Sequence, residues 1–481
     1  MNAFLKNNWP WILSLLLFAL FKSLYPYPDV FLDSTNYIQW GLQDLPIAFR
    51  PLGYTHFLMA AHDWGAHHFG LVFIQFAVHV AAAIFFCKTL FRIWNLTGWQ
   101  RIVCYVLILF NPLAWFIFNL LSPDSLFISL SAVWLATLLR FFFLPDRKWL
   151  MLAIHIAAFI GLFYLRYNAI YYPFFGAAAV WLTSLSLGRK ALYAGASLLV
   201  FAMLYTAAAQ NAEIHTGEAR LSGFGGWAMA NNALHVYYSG DVDATDWEEP
   251  EEKELDRLIR VTIDSVPHTG TAPTDQFLWA RQGPLKQYLF YQLSQGRYPD
   301  YLQGWWQISP FYNDFGKALI LRYPGAFFRK FYGPNLASVF FPSAETLEGY
   351  DVHGTPLLPE QAAFLGYQKD GKSAERIPGL LHQTVKIMEG VHAVLTVLTI
   401  AAAVLLLIFY LRSLRRSPRP GGGVPLAGFL MAVFYVATIL LLAFAHPILL
   451  RYVLFPLLYF SPLPLLWLQQ RRLTAGVAPR A

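Results

Sequence analysis

Residues 31–62 read FLDSTNYIQWGLQDLPIAFRPLGYTHFLMAAH and lie between two strongly apolar runs. The stretch contains an aspartate, a short helical pattern and an Arg-Pro turn, which a plain connection between two membrane spans does not need. Tyr37 and Trp40 are three residues apart and would therefore share one face of a helix. The surrounding loop, 27–70, is predicted to be a folded element at the membrane surface, and Asp33 is its first candidate functional residue.

The composition indicates a membrane protein. The chain has 481 residues, of which 57% are hydrophobic and only 13% charged, and its mean hydropathy is +0.43. A soluble domain carries about 25% charged residues. The long unbroken apolar runs predict helices and exclude the short alternating segments of a barrel. We predict an all-α polytopic membrane protein with about ten spans. The predicted spans are 9–25, 71–91, 101–119, 124–144, 149–165, 169–187, 191–208, 389–411, 424–445 and 450–468.

The basic residues near the span ends predict the orientation. Cytoplasmic loops carry an excess of lysine and arginine, and with ten spans the basic clusters all fall on one side. These residues are Lys6, Lys88, Arg92, Arg101, Arg147, Lys148, Arg189, Lys190, Arg412, Arg415, Arg416, Arg419, Arg471 and Arg472. We therefore expect a multi-pass protein of the bacterial inner membrane with both termini in the cytoplasm. Its polar turns, and hence its site, would lie on the extracytoplasmic face.

Three regions follow from this pattern. Residues 1–208 are predicted to be an N-terminal transmembrane module that contains the 27–70 loop. Residues 209–388 are too long and too aromatic for a linker, and we expect a mostly helical extracytoplasmic subdomain. It includes the acidic amphipathic stretch 246–260. Residues 389–481 would supply the last transmembrane helices and a cytoplasmic tail.

Two aspartates are candidate catalytic residues, and each has a simpler alternative. Asp33 could be a carboxylate that accepts a proton at the membrane surface, or Asp33 or Ser34 could only cap a helix. Asp124 lies in LLSPDSLF between two spans, where it or Ser122 could cap the next helix. An ionisable group so close to the membrane interior is costly, however, and is therefore a functional candidate.

Three arginines suit an anionic ligand. Arg50, in FRPLGY, could bind a phosphate through charged hydrogen bonds, or it could only extend along the membrane interface. Arg166 and Asn168 interrupt the apolar sequence in FYLRYNAIYYP. An arginine at the end of a span could only extend to the interface, or such a break could line a cavity and hold an anionic ligand. Arg451 lies in HPILLRYVLF, near His446, and has the same character. Arginines beside an apolar groove would suit a phosphate carried on a lipid.

The sequence contains no cofactor motif. HDWGAHH, residues 62–68, resembles part of a metal site, but no second cluster with ligand spacing follows, so a divalent metal is not supported. The chain has no P-loop, no G-x-G-x-x-G after a strand and no G-x-S-x-G. We therefore expect no nucleotide chemistry, no bound cofactor and no nucleic-acid partner.

Several of these motifs together resemble a known family. Asp33, Tyr37 and Arg50-Pro51-Leu52-Gly53-Tyr54 are similar to the first extracytoplasmic loop of the GT-C membrane glycosyltransferases, and closest to the branch of the dolichyl-phosphate-mannose protein mannosyltransferases and bacterial aminoarabinose transferases. Residues 110–130 resemble the second-loop region of that family, with Asp124 at its acidic position, and 161–173 resemble its Arg-containing break. The similarity covers roughly the first 210 residues. Ser34 replaces a second acidic residue that some members carry, and Leu52 replaces a proline.

The resemblance implies a GT-C-like bundle and an inverting sugar transfer from a polyprenyl-phosphate donor to a lipid, glycan or protein acceptor. Asp33 would be the general base, and Asp124 would help to position a substrate. Arg166, Arg50 and Arg451 would bind the donor phosphate. Tyr37, Tyr54, Asn168 and His446 are candidate contacts to donor or acceptor.

Two alternatives of a different class remain open on the sequence alone. A lipid or solute transporter would also contain intramembrane arginines, although transporters commonly show repeated halves, and no repeat is evident here. A non-catalytic scaffold of envelope assembly is the second alternative, and the substitution at Ser34 keeps it open. A phosphoethanolamine or acyl transferase would need a metal-rich soluble domain or a membrane His/Asp motif, which the sequence lacks.

Overall fold

The computed structural model describes residues 3–263, 273–344, 347, 357–367, 379–416 and 423–474. Over these ranges the chain is helical and has no strand, which confirms the prediction of an all-α polytopic membrane protein. Arg419 of the basic cluster lies outside the described residues. Eight helices in the described ranges are long and apolar enough to cross a membrane. They are His68–Ile93, Gly98–Asn119, Pro123–Phe143, Lys148–Leu165, Leu187–Thr216, Leu380–Arg415, Val424–Ala445 and Leu450–Thr474.

Two of the ten predicted spans do not meet that length. The N-terminal helix, Ala3–Leu24, has a shorter apolar part, Asn8–Leu24. The predicted span 169–187 is wrong as a single long helix. It consists of a 3₁₀ turn, Tyr167–Tyr171, and a ten-residue helix, Tyr172–Trp181, with Pro173 in its first turn. Proline has no backbone N–H to donate, so it starts a new helix at this point and does not continue the turn before it.

Although it is short, helix Tyr172–Trp181 lies in a segment that carries the chain from one end of the bundle back to the other. The Tyr193 hydroxyl lies 2.7 Å from Nε2 of His155, and Arg189 acts electrostatically on Lys148. Helices Lys148–Leu165 and Leu187–Thr216 therefore start at the same end of the bundle and run in the same direction. The residues between them must cross from one end to the other, which keeps the order of the later spans as predicted.

The first loop contains two helices, Leu32–Leu42 and Gly53–Asp63. The first of them confirms the short helix that Tyr37 and Trp40 predicted. The second packs against the end of helix Lys148–Leu165 at Gly53. A Cβ atom added to Gly53 would lie 2.3 Å from the backbone oxygen of Tyr164. Only glycine permits this approach, so the loop is held against the bundle by backbone packing.

The described residues of the insert, which lies within 217–379, form most of a second apolar core, to which Ile47 of the first loop and Ala212 also belong. Within it, the rings of Trp227 and Trp305 are stacked with their centroids 3.8 Å apart. The predicted acidic stretch is a helix that buries Leu255 and Ile259. The α-helices of the insert are Phe224–Leu234, Pro250–Ile263, Gln276–Trp279, Pro284–Ser294, Tyr301–Gln307, Ser309–Arg322, Pro324–Phe327, Gly333–Ala337 and Pro359–Leu365. The insert also contains two 3₁₀-helices, His235–Ser239 and Ala244–Asp246, and one π-helix, Phe328–Tyr332.

The boundaries of the insert differ from the predicted ones. The preceding helix continues to Thr216 and does not end at 208, and the following helix begins at Leu380, before 389. Both helices extend beyond their most apolar residues, so hydropathy alone placed the limits too far inside them. The long segment is mostly helical, as predicted, but it rests on two helices that project from the bundle.

Two asparagines attach the insert to the membrane part. The side-chain amide of Asn232 donates to the carbonyl oxygens of Phe444 and Ala445 at 2.9 and 3.0 Å. The fully buried Asn335 donates to the carbonyl of His446 at 2.8 Å and accepts from the backbone N–H of Ile448 at 2.8 Å. These bonds satisfy carbonyl groups at the end of helix Val424–Ala445 that have no partner within the helix.

The close approach at Gly53 generates a prediction. Gly53→Ala should lower the free energy of unfolding by about 1–3 kcal/mol, because its methyl group must displace the Tyr164 backbone. Gly188→Ala is the matched control, since a Cβ there meets no atom within 4 Å. Removing glycine from that helix should leave stability unchanged or raise it by up to about 1 kcal/mol. Thermal unfolding of both variants in detergent tests this, and equal melting temperatures would contradict it.

Candidate functional site

The structure brings both predicted aspartates and all three predicted arginines together. Nη1 of Arg50 lies 2.5 Å from Oδ2 of Asp33, and Nη1 of Arg451 lies 2.9 Å from the same oxygen. Nη2 of Arg166 lies 2.6 Å from Oδ1 of Asp124. Arg451 connects the two halves, because its Nη1 is also 3.9 Å from Oδ2 of Asp124. These five residues are called the charge cluster below.

The Asp33 side chain is available to pair with the arginines because Ser34, and not Asp33, caps the helix start. Helix Leu32–Leu42 is capped at Phe31, whose backbone N–H donates to the Ser34 hydroxyl at 3.2 Å. Ser34 is therefore the residue that completes the helix start. Burial alone would raise the pKa of Asp33, but the charges and hydrogen bonds of Arg50 and Arg451 outweigh it and hold that pKa below its ordinary range. The carboxyl group is ionised at neutral pH.

Asp124, like Asp33, lies beside a serine that caps the helix, so its own side chain can pair with arginines. Ser122 caps the helix that begins at Pro123, and its hydroxyl also donates to Oδ2 of Asp124 at 2.9 Å. The side chain of Asp124 is only 3% exposed, so its charge depends on Arg166 and Arg451 for compensation. The turn before it pairs with the first loop, since the Leu121 N–H donates to the Asp29 carbonyl at 3.1 Å.

Arg451 is held by the insert and by aromatic rings. The N–H of Leu450 donates to the carbonyl of Ser343 at 2.8 Å, which ties the start of the last span to the insert. The guanidinium carbon of Arg451 lies 5.2 Å from the ring centroid of Phe31 and 4.7 Å from that of Tyr452. Its Nη2 donates to the Tyr452 hydroxyl at 2.9 Å. Tyr452 follows the predicted arginine directly and is not among the residues that the sequence predicted for the site.

The charge cluster retains capacity for an anion. Among these five side chains, three guanidinium groups face two carboxylates, and three minus two leaves the five with one net positive charge. Nε of Arg166 and Nε of Arg451 are buried and have no hydrogen-bond partner among the described residues. Buried donors without partners are costly, so a ligand oxygen would be stabilised here.

A narrow cleft adjoins these arginines. It is lined by Asp124, Phe127, Ile128, Arg166, Asn168, Tyr171, Tyr172, Thr438, Leu442, Arg451, Tyr452, Phe455 and Pro456. The walls are mostly aromatic and aliphatic, and the charges are confined to one end. Such a cleft suits a molecule with an anionic head and an apolar body.

Asn168 and His446 border the cluster. Nδ2 of Asn168 lies 3.5 Å from Nε2 of His446, and Nδ1 of His446 lies 3.2 Å from the Pro447 carbonyl. Burial, followed by the charges of Arg166 and Arg451, lowers the pKa of His446 to about 4. The ring is therefore neutral at pH 7. It carries its proton on Nδ1, which donates to the carbonyl, and presents Nε2 as an acceptor.

The two predicted tyrosines have different positions. Tyr37 is buried beside Arg50, which is a hydrogen-bonding neighbour of its hydroxyl. Tyr54 is fully buried and donates to Oε1 of Gln75 at 2.7 Å. The amide of Gln75 donates in turn to the carbonyls of Phe118 and Leu120. Tyr54 therefore positions the first loop against the second and does not line the cleft.

Two histidines of HDWGAHH, His67 and His68, contact backbone carbonyl groups, and the third, His62, stacks on an aromatic ring. Nδ1 of His68 lies 2.9 Å from the carbonyl of Leu365, and the ring of His62 stacks on Phe364 at 4.4 Å. These contacts hold helix Pro359–Leu365 over the first loop. Among the described residues, no group of three His, Cys, Asp or Glu side chains is arranged to hold a metal ion.

The insert contributes two residues that sequence reasoning missed. Asp275 lies near enough to the cluster for Arg451 and Asp33 to act on its pKa, which burial raises above the ordinary range. The guanidinium carbon of Arg50 lies 5.7 Å from the ring centroid of Trp279. Both residues belong to a segment whose polar composition is ordinary for a soluble region, so no local signal marked them.

Comparisons with known proteins return no relative. No protein-family model, no curated protein and no solved structure matches the chain.

The buried neutral state of His446 predicts a pH dependence. Above pH 6.5 the ring is neutral in both the folded and the unfolded chain. Below it only the unfolded chain gains a proton, until the folded pKa of about 4 is reached. Stability should therefore fall by about 2 kcal/mol between pH 6.5 and pH 5 from this group alone.

The melting temperature of the wild type and of His446→Gln between pH 7 and pH 5 measures this contribution. The variant should show the shallower dependence, because glutamine does not titrate. His215→Gln, which alters an exposed histidine, is the control and should keep the wild-type dependence. Parallel curves for all three proteins would refute the assignment.

Proposed function

We propose that the protein is an integral membrane glycosyltransferase that moves a sugar from a polyprenyl-phosphate donor to an envelope acceptor, with inversion at the anomeric carbon. The observation that carries this proposal is the single positive charge left in the buried charge cluster beside an apolar cleft. A sugar linked to a polyprenyl phosphate is a phosphodiester with one negative charge, which balances that charge. The apolar cleft walls would accommodate the start of the lipid chain.

The arginines would serve both the donor and the leaving group. A donor phosphate would take the unpartnered Nε donors of Arg166 and Arg451, and Arg50 would approach from the first loop. When the bond between the anomeric carbon and the phosphate oxygen breaks, the phosphate gains a second negative charge. Preorganised guanidinium groups stabilise charge that develops in this way, so the leaving group needs no acid.

Asp33 would be the general base. In the free protein its two arginines make it a weak proton acceptor, because they lower its pKa. A donor phosphate that draws those arginines away would raise that pKa. Asp33 would then take the proton of the acceptor hydroxyl while the hydroxyl oxygen forms its bond to the anomeric carbon. Asp124 stays paired with Arg166 and would position that side chain.

The proposed site would lie on one particular side of the membrane. The charge cluster lies at the end of the bundle opposite Arg189 and Lys148, since Asp124 starts a span whose far end leads to Lys148. By the excess of basic residues at that far end, the site would face the extracytoplasmic side of a bacterial inner membrane, with both termini in the cytoplasm.

The test is transfer of radiolabelled sugar from synthetic polyprenyl-phosphate donors to envelope extract. Wild type should transfer label, and Asp33→Asn should lose activity by a hundredfold or more, because removing a general base costs about 10²–10⁴-fold. Insertion and melting temperature of the variant are measured in parallel.

Asp146→Asn is the matched control. Asp146 also pairs with two arginines, Arg92 at 2.7 Å and Arg140 at 2.9 Å, but at the opposite end of the bundle. That variant should keep wild-type transfer. Full activity in a folded Asp33→Asn protein would overturn the role of the base, and no transfer by wild type from any donor would overturn the proposed function.

A further inference from the structure

Trp279 presents an aromatic surface next to the charge cluster. It is 37% exposed, although it lies beside Trp305 and Phe224 at centroid distances of 6.0 and 5.9 Å. The guanidinium of Arg50 lies over its ring, and Arg50 pairs with Asp33. The exposed part of this indole therefore lies within one side chain of the proposed base.

Lys286 lies beside this indole without a counter-ion. Its Nζ is 5.6 Å from the ring centroid of Trp279. Burial lowers the pKa of Lys286, and no carboxylate within the described ranges acts on it. A partly buried ammonium group without a partner is costly, and an anionic group of a ligand would compensate it.

Asp275 completes this group of polar side chains. Its hydrogen-bonding neighbour is the Trp279 side chain, and Arg451 and Asp33 are close enough to act on it. The segment is held in place by helix Phe224–Leu234, because the N–H of Leu278 donates to Oδ1 of Asn231 at 3.1 Å. Asp275 is thus a positioned carboxyl group that faces the cluster from the insert.

We propose that Trp279, Lys286 and Asp275 form the acceptor subsite and that it takes an anionic sugar, a pyranoside that carries a phosphate or carboxylate group. The apolar face of the sugar ring would pack on the indole, its anionic group would pair with Lys286, and a ring hydroxyl would donate to Asp275. The acceptor role rests on the proposed function, whereas binding of the sugar itself does not require a donor.

Saturation-transfer NMR on the full chain in phosphatidylcholine nanodiscs tests the subsite. The probes are glucose 6-phosphate, glucuronate and glucose. Wild type should bind the two charged sugars about tenfold more tightly than glucose, which is the usual size of one charged hydrogen bond. A preference for only one of them identifies the anionic group as phosphate or carboxylate.

Three substitutions separate the contributions. Lys286→Met should abolish the preference for charged sugars and leave glucose binding unchanged, whereas Lys286→Arg should retain the preference. Trp279→Leu should weaken all three probes. Lys317→Met, which alters an exposed lysine on helix Ser309–Arg322, is the matched control and should behave as wild type.

Two results would overturn the subsite: equal affinities of wild type for charged and uncharged sugars, or an unchanged preference in Lys286→Met. A separate failure is distinguishable. If the sugars bind as expected but no polyprenyl donor supports transfer, the anionic-sugar site stands and its acceptor role falls together with the proposed function.

Discussion

The guanidinium of Arg451 is the interaction on which the site depends. It lies between Asp33 and Asp124 and compensates part of both charges. Removing one partner from a buried ion pair leaves an uncompensated charge and costs about 3–5 kcal/mol. The first loop, the second loop and the last span are therefore constrained to meet at one point, and the rest of the bundle must accommodate that meeting.

Backbone hydrogen bonds around the cluster hold the three loops together at this point. Asp29 pairs with the turn before Asp124, and Ser343 pairs with the turn before Arg451. Asn335 satisfies the carbonyl groups between those elements. Each loop is held by hydrogen bonds to another loop, and these bonds hold the charged side chains in alignment. The insert is thus a structural part of the site as well as a separate apolar core.

The sequence predicted a charged site residue where that residue interrupts an apolar segment, and missed it where the surrounding segment is itself polar. Asp33, Asp124 and Arg166 interrupt apolar sequence. Because a charged side chain is energetically costly near the membrane interior, these residues were identified as functional candidates. Asp275 lies in a polar segment, where a carboxylate is unremarkable, and only the fold reveals its neighbours. The pairings were also beyond the sequence, since the geometry of three loops decides which arginine meets which aspartate.

The elements show the same limit. Long apolar helices were predictable from hydropathy, but the span at 169–187 was not, because a proline divides it into two short pieces that hydropathy averages together. The histidines at 62–68 were ambiguous for a related reason. A ring nitrogen can bind a metal through its lone pair or donate its N–H to a carbonyl, and the carbonyls of a distant helix cannot be read from the sequence.

The distance along the chain between paired charges has a consequence for biosynthesis. Asp33 and Arg451 are separated by 418 positions. During translation the aspartate leaves the ribosome long before its partner exists, and Arg50 alone accompanies it. The site can therefore close only after the last span has been inserted, so a chain truncated before that span would be membrane-embedded yet incomplete at its centre.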